Sequence, residues 1–103
     1  MKELTEDNLA EILNSNQKVI VQYGASWCGA CRVTKPKFSA LESDFDSVEF
    51  YYVDAEKYPE SRSQAQVDNL PTFAGFKDGK LVGQSTGTNI DKIKGILNEI
   101  TAD

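Results

Sequence analysis

Apolar residues recur along this chain with two different spacings, and each change of spacing marks an element boundary. Leu9, Ile12 and Leu13 fall at helical intervals, so a first helix is expected there with those three on its buried face. Thr5 is the expected N-cap. Glu6 and Asp7 put negative charge in the first turn, and Leu4 can pack on Leu9 as a hydrophobic staple. The polar cluster Asn14-Ser15-Asn16 ends this helix. Val19-Ile20-Val21-Gln22-Tyr23 follows, β-branched and aromatic and nearly apolar on both faces, as a strand covered on two sides requires. Gly24-Ala25-Ser26 turns the chain, and helical spacing resumes through Phe38, Leu41 and Phe45. Pro36 lies within that helix and should kink it.

Val48 to Val53 reads as a second buried strand. A short helix is expected from Pro59, a favourable first-turn residue, through Ala65. Thr72 to Lys77 and Lys80 to Gln84 flank Asp78-Gly79, the strongest hairpin signal in the chain. Thr88 or Asn89 caps a last helix with apolar positions Ile90, Ile93, Leu97 and Ile100, weakened modestly by Gly95. The first half is a βαβ unit with parallel strands, and the hairpin adds antiparallel ones. An α/β fold follows, with a mixed sheet between helices on both faces.

Composition narrows the class. The 103 residues suit one domain over 1–103, with 40% apolar and 26% charged residues. No apolar run approaches the ~20 residues needed to span a bilayer. The N-terminal MKELTEDNLA lacks the apolar core of a secretory signal, so a cytoplasmic location and no membrane association are expected. A net charge of -5 without a basic cluster disfavours nucleic acid. No histidine is present, which removes Cys-His catalysis and histidine-ligated metal.

Chemistry concentrates in WCGAC, residues 27–31, which holds the chain's two cysteines and its one tryptophan. Structural zinc wants four ligands, and this pair supplies two, so no metal is expected. A structural disulfide between Cys28 and Cys31 would close so small a ring that it would remove little unfolded-state entropy. A redox couple accounts better for the spacing. Residues three apart on a helix have β-carbons ~5–6 Å apart, near disulfide range, so the bond can open and close with little backbone movement. The helix N-terminus offers unpaired N–H groups and partial positive charge, which favour a thiolate. Cys28, at the helix start, gains most and should attack. Cys31, one turn deeper and more buried, should resolve.

VIVQYGASWCGAC resembles the active-site segment of the thioredoxin family. The likeness continues through Pro36, through Leu70-Pro71-Thr72, through FKDGK at the hairpin and through Gly87, and so spans essentially the whole chain. It implies a thioredoxin fold of about five strands and about four helices, with a short first strand within residues 1–4. It also implies a protein-disulfide reductase with no cofactor beyond the Cys28–Cys31 couple, acting on disulfide-containing proteins. Electrons would come from a thioredoxin reductase using NADPH and flavin, and a monomer is expected. By the same resemblance Leu70-Pro71 is cis. Backbone groups around Leu70 would receive an extended substrate peptide by strand addition. Trp27, Leu70, Pro71, Thr72 and Gly87 would form the substrate-binding surface, together with Gly29 and Ala30, and Trp27 should be partly exposed.

Three positions depart from the family pattern. Ala30 stands where proline is usual between the cysteines. The freed N–H should stabilise the thiolate and make the couple less reducing than CGPC relatives. Gln22 replaces a buried acid six residues before Cys28, and Tyr52 falls where its lysine partner is expected. An amide cannot take a proton at neutral pH, so resolution by Cys31 should be slow. Gly29, Ala30 and Gln22 are thus the expected redox-tuning residues. Gly24 replaces a second aromatic, giving either a looser approach to the cysteines or room for a ring such as Tyr23 or Phe50. A competing reading is a thioredoxin-like binding module or subunit with weak or no redox turnover. It draws on the missing acid and proline, and is opposed by the retention of Trp27, both cysteines and Pro71.

Overall fold

A computed structural model describes residues 1–102. Its elements are β1 (Lys2–Glu3), α1 (Leu9–Ser15), β2 (Lys18–Gly24), α2 (Gly29–Ala40), β3 (Glu49–Asp54), α3 (Pro59–Arg62), β4 (Thr72–Lys77), β5 (Lys80–Thr86) and α4 (Ile90–Thr101). The strands form one sheet in the order β1-β3-β2-β4-β5. β3 pairs in parallel with both β1 and β2, whereas β4 is antiparallel to both β2 and β5. The mixed sheet is the one expected from a βαβ unit followed by a hairpin.

β2 lies at the centre, and its residues from Val19 to Gly24 are all buried. The pleat sends alternate side chains to opposite faces. Val19, Val21 and Tyr23 join Leu9 and Leu13 of α1 in one apolar cluster. Ile20 joins Phe38 of α2 and Ile93, Leu97 and Ile100 of α4 in the other. The Phe38 ring centroid is 4.9 Å from that of Phe50 and 5.0 Å from that of Phe73, so α2 is anchored on β3 and β4 at once. Truncating such a ring to alanine typically costs about 3–5 kcal/mol. Gly75 of β4 admits α4 to the sheet, since a β-carbon there would overlap Ile96 and stand 2.8 Å from Ile100 Cδ1. The Asp78-Gly79 turn has φ of 53° and 80°, the left-handed conformation that a tight hairpin demands.

Four local expectations are corrected. The first helix starts at Leu9 with Asn8 as its N-cap, not at Thr5. Asp7 instead crosses to α3, where its carboxylate accepts the amides of Ser61 at 2.7 Å and Glu60 at 3.0 Å. A carboxylate gains more by capping another helix's free N–H groups than from the weak field of its own. Ser61 extends this junction: its Oγ accepts the Leu9 amide and its carbonyl accepts the Tyr23 hydroxyl at 2.8 Å. α2 ends at Ala40, and a 3-10 turn over Leu41–Asp44 continues the apolar spacing toward Phe45. α3 stops at Arg62, short of Ala65. Finally, β5 runs two residues past Gln84 to Thr86. At the last helix the cap is Asn89, whose Oδ1 accepts the amides of Asp91 and Lys92.

Candidate active site

Where β2 ends at Gly24, three residues carry the chain to Cys28, the N-cap of α2. The turn is closed by the Cys28 amide, which donates to the Ala25 carbonyl at 3.1 Å. Cys28 and Cys31 are disulfide-bonded with Cα atoms 5.3 Å apart, inside the ordinary range for such a bridge. The Cys31 amide donates to Cys28 Sγ at 3.1 Å. That is an N-cap bond with sulfur in place of the usual oxygen. The amide of Ala30, expected to serve the sulfur, makes no such bond in this oxidised state among the described residues. Exposure separates the two cysteines in the expected sense, with Cys28 at 6% and Cys31 at 1%.

Ala25, Cys28 and Cys31 form a small apolar cluster of their own, and Leu70 packs against it. The Leu70-Pro71 peptide bond is cis. The Pro71 carbonyl accepts the Gly87 amide at 2.9 Å, with Gly87 at φ 93° in the glycine-favouring region. Thr72 Oγ1 donates to the Asn69 carbonyl at 2.5 Å. These bonds hold the loop before β4 against the disulfide. The backbone amide and carbonyl of Leu70 itself have no hydrogen-bond partner among the described residues. Trp27 is 65% exposed, and Gly29 and Ala30 are also on the surface. Leu70, Pro71, Gly87, Trp27 and the cysteine pair, distant in sequence, thus meet at one end of the sheet.

Beneath the couple lies Gln22, fully buried. Its Nε2 donates to the Cys31 carbonyl at 3.1 Å, while its Oε1 has no partner. The amide therefore grips the backbone of the inner cysteine and leaves a buried acceptor unsatisfied, a costly arrangement in an apolar interior. Gly24 has a clear account here. A β-carbon at Gly24 would overlap the Tyr52 hydroxyl and stand 2.8 Å from its Cζ. The ring that fills the space is Tyr52, not Tyr23 or Phe50. Two departures from the family pattern, at 24 and 52, are thus one packing solution. Lys35 Nζ lies 4.2 Å from the centroid of the Tyr52 ring and pairs with Glu3. Burial, and then the nearby charges of Asp54 and Glu3, push the Tyr52 hydroxyl pKa upward, so the phenol stays neutral.

Sequence reasoning missed the tether of the Leu70 loop. Gln84 of β5 uses both ends of its amide on one backbone unit: Oε1 accepts the Gln66 N–H at 3.0 Å and Nε2 donates to the Gln66 carbonyl at 2.8 Å. Arg62 adds two bonds to the Val67 carbonyl. Glutamine on an exposed strand position carries no signal of this in a linear sequence.

A scan against protein-family models matches Thioredoxin over residues 1–99. The chain belongs to the thioredoxin family. Thioredoxin from Oryctolagus cuniculus is 37% identical over 92 residues, covering 87% of this chain and 88% of that protein. Thioredoxin H2 from Arabidopsis thaliana is 32% identical, over 89% of this chain and 69% of its own. Among solved structures, Fasciola hepatica thioredoxin superimposes with a TM-score of 0.85 at 33% identity, covering 95% of this chain and 97% of that one. Thioredoxins are protein-disulfide oxidoreductases, and this member has the dithiol–disulfide pair in bonded form at the expected positions. Among the described residues, no group of three or more acidic or sulfur side chains is gathered to hold a metal ion. No described helix is long and apolar enough to cross a membrane.

Proposed function

We propose that Cys28 is the attacking thiol and Cys31 the resolving one in the reduction of protein disulfides. In the reduced protein the Cys28 thiolate attacks one sulfur of the substrate disulfide. The substrate S–S bond breaks, a Cys28–substrate disulfide forms, and the released sulfur takes a proton. Cys31 then gives up its proton, attacks Cys28 Sγ and expels the second substrate thiolate, which is protonated in turn. Two electrons pass to the substrate, and the Cys28–Cys31 bond is restored.

The observation that carries the assignment is the asymmetry of the pair. Cys28 sits at the helix tip, the more exposed of the two, where the Cys31 N–H points at its sulfur. Cys31 is sealed beneath it. An N–H donor and the helix field both favour negative charge on that outer sulfur. The unpaired backbone of Leu70, beside the couple, supports an extended substrate docking by strand addition. Trp27 and Gly87 extend that surface, Pro71 and Thr72 are buried beneath it and hold the Leu70 loop in place, and Gly29, Ala30 and Gln22 tune the couple. We take the chain as one domain over 1–103, monomeric and cytoplasmic, using no cofactor and recharged by a thioredoxin reductase.

Insulin reduction driven by dithiothreitol tests the reading, with Cys28→Ser and Cys31→Ser as partners. The wild type should accelerate precipitation and Cys28→Ser should not. Cys31→Ser should accumulate a mixed disulfide with substrate, detectable by mass. A mixed disulfide trapped instead on Cys31 of Cys28→Ser, with none formed by Cys31→Ser, would reverse the roles.

A further inference from the structure

α2 is an electrical anomaly in this protein. The chain carries 11 basic and 16 acidic residues, yet α2 (GACRVTKPKFSA) has three basic residues and no acidic one. Lys35 is occupied by Glu3 and the Tyr52 ring. Arg32 and Lys37 are exposed, and neither lies within ion-pair distance of a carboxylate among the described residues. The Arg32 guanidinium donates to the Ser26 carbonyl at 3.3 Å, which holds its charge beside the Trp27 turn.

Between these two cations lies Val33, 61% exposed. Residues three and four apart share a helix face, so Ala30, Val33 and Lys37 form one stripe. The stripe begins at the disulfide end of α2 and runs down the helix for roughly 10 Å. Trp27 and Val33 are two of the three large hydrophobic residues most exposed in the protein. An apolar strip continuous with the couple, set between free cations in an acidic protein, has a specific chemical complement. On the other side of the couple the sign reverses: Asp68 is exposed two residues before Leu70.

We propose that the outer face of α2, from Trp27 through Ala30 and Val33 to Lys37 with Arg32 at its flank, is the selective part of the docking surface. It takes protein substrates whose target disulfide is flanked by carboxylates around an apolar side chain. The apolar residue covers Val33, and the carboxylates meet Arg32 and Lys37. This rests on the redox assignment above and adds a substrate preference to it. The Leu70 backbone receives any extended peptide, whereas α2 discriminates among them by charge.

Two synthetic peptides test the proposal. Each holds one intramolecular disulfide, and they differ only in a flanking Glu-Leu-Glu or Lys-Leu-Lys. The reduced protein should act on the acid-flanked peptide with kcat/KM about three- to tenfold higher at low salt, the range for two exposed ion pairs. High salt should shrink that ratio. The double variant Arg32→Glu/Lys37→Glu should invert it, and Lys80→Glu at the hairpin should leave it as in the wild type. Because the readout is a ratio within one protein, any change in Cys28 reactivity cancels. Equal rates on both peptides, or a preference surviving in the double variant, would sink the docking proposal alone. Failure to reduce either peptide would overturn the redox reading beneath it.

Discussion

Replacing Gln22 by Glu puts a carboxyl where the interior now holds an amide of the same shape, and its consequences can be worked through. Gln22 is fully buried, its Nε2 serves the Cys31 carbonyl, and its Oε1 is unpaired. The lysine of the same face, Lys35, is engaged with Glu3 and the Tyr52 ring. An ionised carboxylate would therefore lack a donor and face a carbonyl oxygen. A buried acid so placed is raised by ~3 units or more above its usual ~4.3. When protonated, its O–H can donate to the Cys31 carbonyl as the amide does, so the variant should match the wild type near pH 4. Because the folded-state pKa lies above the unfolded one, the folded protein holds the extra proton and stability falls as pH rises. The loss accrues at ~1.4 kcal/mol per pH unit, reaches ~3.5 kcal/mol at pH 7, and levels off above the folded-state pKa.

The same carboxylate would supply the proton acceptor that an amide cannot be. Decay of a mixed disulfide on Cys28 should accelerate at least tenfold above the carboxyl's pKa, a floor set below the roughly 10²–10⁴-fold typical of general-base catalysis. Denaturant titrations of the oxidised protein from pH 4 to pH 8, with single-turnover release of a chromophoric thiol, read both effects. A variant with wild-type stability at pH 8 and unchanged release would refute the account of position 22. Gln22→Asp, one methylene shorter, should share the pH slope with a further loss from the missing contact to the Cys31 carbonyl.

Ala30→Pro should make the couple more reducing, by a shift of order 30 mV (~1.4 kcal/mol), because it removes an N–H available to the thiolate of the reduced form. Equilibration with a glutathione or dithiothreitol series measures it, and an unchanged or higher potential contradicts it. Gly24→Ala should cost about 1–3 kcal/mol through collision with Tyr52. In Gly24→Ala/Tyr52→Leu the penalties should fall short of additive by at least ~0.5 kcal/mol, and strict additivity in denaturant melts would separate the two positions. Asp7 has its carboxyl pKa lowered overall: burial raises it, but hydrogen bonds from Ser61 and Glu60 outweigh that. Its contribution is present above the unfolded carboxyl range and lost as pH falls through the folded value, so Asp7→Asn should lower Tm at pH 7 and have much less effect at pH 2.

The strands and the hairpin were legible because each is a local pattern: β-branched runs covered on both faces, and an Asp-Gly pair between them. Helix ends were less legible, because caps depend on what lies across space. Thr5 and Asp7 both have the chemistry of a cap, yet Asp7 turns its carboxylate to α3, whose amides lie 53 and 54 residues further along. At the site, the cysteines and Pro71 could be read from spacing and family likeness. The Gln84–Gln66 tether could not, since pairing an exposed side-chain amide with a distant backbone unit leaves no periodicity behind.

Positions 22, 24 and 52 bear most directly on how this member differs from its relatives. Taken singly, each departure reads as a loss: an acid, an aromatic ring and a lysine. The geometry makes them a set. Tyr52 needs the space that Gly24 leaves, and its ring carries the ammonium of Lys35. Where the family resemblance implies a charged pair beneath Cys31, this chain holds a neutral amide and a neutral phenol. Removing a buried charge relieves desolvation, which favours the fold. It also removes the proton acceptor nearest the resolving thiol, so Cys31 must pass its proton to the departing substrate sulfur or to water. Mixed disulfides with substrate should persist longer here than in acid-bearing relatives, and restoring the acid alone should shorten them only where the carboxyl is ionised.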